Sequence, residues 1–134
     1  MARYLSQAWF DEVNEAARSS SSLQQATAGA RLTLQQVVTG GREGDLRYWV
    51  RVEDGSVQVA LGDAQAARLA PDATVTQSYE TAAAVSRGEL STEDAFLDGR
   101  IRLHGDIAVL LRHQSVLNSL GEAFAEVRRR TEYP

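Results

Sequence analysis

Trp9, Phe10, Val13, Ala16 and Ala17 fall at i, i+1, i+4, i+7 and i+8, one apolar face of a helix, with Asp11, Glu12, Asn14 and Glu15 outside it. Ser6 stands in front as an N-cap, so the spacing predicts a helix over residues 6–18, with Asp11 and Glu12 suiting the positive end of its dipole. Ser19 to Ser22 form a polar break, and Leu23 to Ala28 fit either a helical turn or a loop. The period then drops to two. Leu32 and Leu34 alternate with Arg31 and Thr33, but Gln35-Gln36-Val37-Val38 breaks the alternation and marks a candidate bulge. Gly40-Gly41-Arg42-Glu43-Gly44 reads as a turn. The next strand sends Leu46, Tyr48, Val50 and Val52 one way and Arg47, Trp49, Arg51 and Glu53 the other. Asp54-Gly55 is a type I′ hairpin signal, and Val57, Val59 and Leu61 share a face of the third strand.

Gly62 to Asp72 has no strand pattern and serves as a crossover, with Ala64 to Leu69 fitting a short helix. From there every boundary is punctuated. Val75, Gln77 and Tyr79 alternate with Thr74, Thr76 and Ser78 in a fourth strand. Ser78 caps a helix that ends at Gly88, and Ser91 with Asp94 resembles a capping box opening a short helix that carries Ala95 and Phe96. Gly99 stops it, Ile101 and Leu103 alternate with Arg100, Arg102 and His104 in a fifth strand, and Asp106 caps the apolar turn Ile107 to Leu111. Val116, Leu117, Leu120, Ala123, Phe124 and Val127 recur at helical spacing, with Arg128 to Arg130 at the negative end of that last helix.

Composition narrows the function classes. A chain of 134 residues fits one domain over residues 1–134, and a net charge of -4 argues against nucleic acid as a partner. There is no cysteine, hence no disulfide, thiolate nucleophile or thiolate metal site. All 14 basic residues are arginine, which removes Schiff-base and phosphate-loop lysines. The arginine and alanine bias points to a GC-rich, bacterial genome. The N-terminus lacks the apolar core of a signal peptide and no run approaches spanning length, so the expected location is cytoplasmic and any membrane contact transient.

Candidate chemistry is sparse. His104 and His113 sit nine residues apart on different elements and match no ligand spacing, so no metal or cofactor is expected. His104-Gly105-Asp106 evokes half of an acid–base pair, yet Asp106 has a sufficient role as a cap. The glycine-rich turn joins two strands, so no helix N-terminus stands behind it to hold an anion. Arg47 and Arg51 read as a solvated sheet face. Trp49 beside them is either a subunit contact or packed under a loop. The apolar positions Tyr48, Val50, Val57, Val59, Phe96, Leu110, Leu117, Leu120 and Phe124 are core by default; the sharper alternative makes them the lining of a ligand tunnel.

The punctuated stretch resembles the sterol carrier protein type two (SCP-2) superfamily. Its matching pattern is Tyr79-Glu80 opening a helix, Arg87-Gly88-Glu89-Leu90 ending it, Ala95-Phe96 and Gly99, then Arg100-Ile101-Arg102-Leu103, Gly105-Asp106 and an apolar helix. The resemblance implies an α+β fold, a mostly antiparallel five-stranded sheet of order 3-2-1-4-5 with helices packed on one face. It also implies a stand-alone bacterial-type carrier, not an enzyme, that holds a sterol, fatty acid or fatty acyl-CoA between sheet and helices. The nine apolar positions would then be its lining, Phe96 and Ile107 to Leu111 its first contacts, and the last helix its lid. The C-terminus reads Glu132-Tyr133-Pro134, not the peroxisomal signal of some eukaryotic members. Burying about sixteen methylenes at ~0.8 kcal/mol each gives roughly 13 kcal/mol of gross transfer energy, enough to hold a lipid with no catalytic group. The other reading is a structural or interaction module with a filled core, a homodimer through the Trp49 face, accessory to a metabolic enzyme.

Overall fold

The computed structural model describes residues 2–41 and 44–133. In it the punctuation residues act where the sequence places them. Helix α1 (Gln7–Ser19) starts where the Ser6 hydroxyl accepts from the Trp9 N–H at 3.2 Å. Ser20 does the same for α2 (Ser21–Ala26), Ser78 for α3 (Tyr79–Ser86) and Ser91 for α4 (Thr92–Leu97). Asp106 caps α5 (Ile107–Arg112), after which α6 (Gln114–Arg128) follows a break at His113. One expectation fails here. The first turn of α1 holds no acidic residue, so Asp11 and Glu12 lie beyond the reach of its dipole. The ambiguous stretch after Ser20 is helical, whereas Ala64 to Leu69 forms only hydrogen-bonded turns, interrupted by Arg68 at φ 63°.

Strands β2 (Arg31–Gly41), β3 (Gly44–Glu53) and β4 (Ser56–Leu61) form the meander, and β5 (Ala73–Ser78) and β6 (Ile101–Gly105) complete the sheet. The order is β4-β3-β2-β5-β6, which within this sheet alone is 3-2-1-4-5. Within this sheet only the β2–β5 pair is parallel, and it is the pair that needs the crossover. Asp54 and Gly55 both have positive φ, as the type I′ hairpin requires. The bulge does not fall at Gln35 to Val38, which pair in unbroken register with both neighbours; the shift lies between Val38 and Gly41. Arg42 and Glu43 of the glycine-rich turn lie outside the described residues. Two strands have no sequence pattern: β1 (Ala2–Arg3) pairs in parallel with β7 (Thr131–Glu132) and ties the two ends of the chain together.

Gly105 explains how β6 meets β5. Its φ is +109°, and a Cβ there would lie 2.6 Å from the Asp72 carbonyl oxygen, so a side chain is excluded on both counts. At the opposite edge of the sheet, Asn14 of α1 closes β4. Its amide donates to the Val59 carbonyl and its oxygen accepts from the Val59 N–H, both at 2.8 Å, so the side chain replaces a missing strand. The helices lie on one face, where the core combines Phe10 and Val13 of α1 with Leu32, Leu34, Val50, Val52 and Val59 of the sheet and Val116, Leu120 and Val127 of α6.

Candidate site between sheet and helices

Register and alternation together fix which residues face the helices. One row crosses all five strands as Val59–Val50–Leu34–Ala73–Gly105, the next as Leu61–Tyr48–Gln36–Val75–Leu103. The first row is closed, its four side chains between 1 % and 5 % exposed. No member of the second is fully buried, and Leu61 at its end reaches 39 %. Five strands at ~4.8 Å spacing make that row about 19 Å long, on the scale of an extended acyl chain. The helix-facing positions of the five strands carry no charge: their polar side chains are Gln36, Tyr48 and Gln77. Arg31, Arg47, Arg51, Glu53 and Arg102 all alternate onto the other face.

Aromatic rings pave the layer above this row. Phe10 packs on Tyr48 at 5.2 Å between centroids and on Trp9 at 5.0 Å, and Trp9 meets Tyr4 edge-on at 5.1 Å. Tyr4 also contacts Tyr79 and Tyr133, and donates its hydroxyl to the Ala82 carbonyl at 3.2 Å. Burial pushes the Tyr48 hydroxyl up to about 12. Burial first, and then the hydroxyls of Tyr48, Tyr133 and Tyr79, hold Tyr4 well above the usual range as well. The Tyr48 hydroxyl is therefore deep, while the residue as a whole is half-buried.

Eight of the nine sequence-predicted positions converge on this layer. Val50, Val59, Leu110 and Leu120 are buried in its core, and Tyr48, Val57, Leu117 and Phe124 are half-buried against it. Phe96 does not join them. It is 47 % exposed, because α4 is six residues long and anchors itself through Ala95, leaving the neighbouring side chain to turn outward. Of the apolar turn, Val109 and Leu110 are buried, while Ile107 and Leu111 are exposed. Sequence reasoning passed over Gln36 and Gln77. Their signal was a polar residue at an inward position of an otherwise apolar strand face. Tyr4, with its few patterned neighbours, gave none.

The remaining candidates settle into structural roles. Gln35, on the face away from the helices, is buried and binds the crossover, accepting from the Ala64 N–H at 2.6 Å and donating to the Gly62 carbonyl at 3.3 Å. Trp49, its cross-strand partner on that face, is also buried, so the choice left open for it resolves to packing under the crossover. Arg47 pairs with Asp63 and Arg51 with Glu53, both at exposed positions. A cleft of about 170 Å³ opens beside Arg31, Thr33, Arg51, Glu53 and Asp72, away from the apolar row and polar in character. Among the described residues no group of three or more His, Asp or Glu side chains is placed to hold a metal ion, and no helix is long and apolar enough to cross a membrane.

The model of the SCP-2 sterol transfer family matches residues 10–118. Among solved structures, a crystal structure of sterol carrier protein 2 superposes with a TM-score of 0.74 at 17 % identity, covering 92 % of this chain and 98 % of that one. A conserved protein of Thermus thermophilus, linked by its name to sterol carrier proteins, gives 0.73 at 17 % identity over 95 % and 91 %. A palmitated sterol carrier protein 2-like protein of Aedes aegypti gives 0.56 at 19 % identity over 88 % and 92 %. No curated protein sequence matches the chain.

Proposed function

The chain belongs to the SCP-2 sterol transfer family, and from that premise we propose that it binds and transfers an apolar lipid, without catalysing a reaction, in the seam between its sheet and its helices. The observation that carries this reading is the transverse row Leu61–Tyr48–Gln36–Val75–Leu103, the part of the helix-facing sheet that its own helices bury only in part. Tyr48, Val57, Leu117 and Phe124 are the contacts available to a ligand first. Val50, Val59, Leu110 and Leu120 are closed by packing, so a full-length acyl chain or sterol reaches them only as α6 lifts from the sheet. The driving force is burial of the ligand's apolar surface, offset by the separation of helix from sheet.

Lipid extraction and native mass spectrometry of the purified protein test this directly. A co-purifying lipid, or uptake of a fluorescent sterol or fatty acid at micromolar concentration, is the expected result. A protein that carries no lipid and takes up neither probe is not a carrier.

A further inference from the structure

The sheet has two edges, and the chain treats them differently. At β4 the Asn14 side chain occupies the Val59 N–H and carbonyl, both at 2.8 Å. At β6 the Asp106 N–H donates to the Asp72 carbonyl at 2.9 Å, one step past the Ala73↔Gly105 pair, and antiparallel neighbours alternate between pairs that exchange hydrogen bonds and pairs that do not. Arg102 and His104 therefore direct their backbone groups at β5, and Leu103 between them directs its N–H and carbonyl at the open side. Among the described residues nothing hydrogen-bonds to Leu103 on that side. Ile101 is already buried where α4 turns into the strand, so the free part of the edge is Leu103 to Gly105. β6 has no bulge, no proline and no helix-facing charge, the devices that keep an edge from pairing with another chain.

Apolar side chains stand exposed at both ends of this edge. Before it, the Gly99 N–H donates to the Phe96 carbonyl at 3.1 Å and the Arg100 N–H to the Ala95 carbonyl at 2.9 Å. These bonds hold α4 against the start of β6 and leave Phe96 47 % and Leu97 73 % exposed. After it, α5 opens two residues past Gly105, with Ile107 39 % and Leu111 69 % exposed. The two ends also differ in charge. In and just after α4 stand Glu93, Asp94 and Asp98, with Arg100 following, whereas α5 ends in Arg112 and its Asp106 is occupied as the cap. Glu93, Asp94, Asp98 and Arg112 are all exposed, and among the described residues none of them forms an ion pair.

A second copy of this chain suits each of these features. Two-fold pairing of one edge strand with its own copy is antiparallel, so the start of β6 in one copy lies beside the end of β6 in the other. Phe96 and Leu97 then approach Ile107 and Leu111 of the other copy, and the three carboxylates approach its Arg112. An anionic membrane would instead meet the same apolar side chains with those carboxylates among them. We propose that the β6 edge, with α4 and α5, is a homodimer interface in which two sheets join antiparallel at β6 and α4 of each copy packs on α5 of the other. The Trp49 face, buried under the crossover, is not the contact. A short edge and four part-exposed side chains per copy make an interface below ~1,200 Å² in total, in the range of weak, transient association. The chain is expected to be a monomer near ~1 µM and increasingly a dimer at hundreds of micromolar. None of this depends on the carrier reading.

Sedimentation equilibrium of the full-length protein from ~1 to ~500 µM tests it, with a charge swap across the interface. The wild type is expected to move from the 14.6 kDa of one chain towards twice that mass. Leu97→Arg sets a cation against Arg112 of the other copy, and Leu111→Glu sets a carboxylate against Glu93, Asp94 and Asp98, so each alone weakens dimerisation roughly tenfold. Both positions are exposed in the single chain, which therefore still folds. In the double variant the new arginine meets the new glutamate across the two-fold axis, and dimerisation recovers. Hydrogen exchange at the Leu103 amide is expected to slow as wild-type concentration rises. A wild type that stays monomeric throughout overturns the interface, and if it also binds phosphatidylserine vesicles in a Leu97-dependent way, the exposed side chains serve a membrane instead. Dimerisation unchanged in both single variants places the contact elsewhere. A double variant no better than the singles overturns the packing of α4 on α5, and Leu103 exchange independent of concentration overturns the strand pairing.

Discussion

Around α1 the helical layer is closed. Phe10, Val13 and Val127 are fully buried, the rings of Tyr4, Trp9, Phe10 and Tyr48 form a continuous stack, and β1 binds β7 across it. Around α4 and α5 the same layer ends in two six-residue helices whose Phe96, Leu97, Ile107 and Leu111 face solvent. Each of those helices is held by a capping hydrogen bond and one or two buried side chains. The difference teaches where this chain keeps its stability. One end holds the fully buried side chains, and the other, with few buried contacts, has less to lose by local opening.

The largest effect is expected from a matched pair of truncations. Phe10→Ala removes a ring with no exposure, and is expected to cost about 3–5 kcal/mol in urea unfolding. Phe96→Ala removes a ring that is 47 % exposed and should stay within ~1 kcal/mol. Comparable losses from the two would mean that the α4 end is as tightly built as the α1 end.

The contrast also shows what the sequence could and could not disclose. Caps, glycine stops and strand alternation are local, and Ser78, Ser91, Gly99 and Asp106 announce their roles through nearest neighbours alone. Hence most strand and helix boundaries were legible, whereas the sheet order came only from the family resemblance. Exposure is not local. Phe96 follows a core-like spacing, but whether α4 buries it depends on how much of the helical layer reaches that far. Trp49 is buried by a crossover well downstream of it in the chain, and β1 and β7 are too short to have a pattern. Eight of the nine apolar positions were legible as inward-facing because an apolar strand face or helix stripe has only one place to go.

A pH experiment sharpens the account of the closed end. The Tyr48 hydroxyl is pushed up to about 12 by burial, against ~10 in an unfolded chain. Its contribution is fully present below pH ~10 and declines as pH rises through about 12, because over that window the unfolded state releases a proton that the folded state retains. Two units correspond to roughly 2–3 kcal/mol, and Tyr4, shifted in the same direction, adds to the slope. Tyr48→Phe should therefore flatten the fall in stability above pH ~10 without altering it near neutrality. An unchanged slope would mean that the Tyr48 hydroxyl is solvated.

A smaller effect is expected where the closed end guards the sheet edge. Asn14→Ala leaves the Val59 N–H and carbonyl unpaired, at a cost of about 1–2 kcal/mol, and uncovers the β4 edge to other chains. Asn14→Asp should restore acceptance from the N–H and fail to supply the carbonyl's donor, giving an intermediate loss. Equal stability of all three would mean that α1 packs on β4 through its apolar side chains alone.

The smallest effect belongs to the open end. Leu111 is 69 % exposed in the folded chain, so folding removes little of its surface from water and Leu111→Ser should change stability by less than ~0.5 kcal/mol. The same change has a second use. If it costs more than ~1 kcal/mol, Leu111 has a partner in solution that the single chain does not supply, and the obvious one is a second copy. Mass action then requires the wild-type unfolding midpoint to rise with protein concentration and the variant's midpoint to lose that dependence. A midpoint independent of concentration, together with a negligible cost for the substitution, leaves α5 what its packing makes it: a short apolar helix buried on one side through Val109 and Leu110, free on the other, and poised at the end of the layer that has the least to lose by moving.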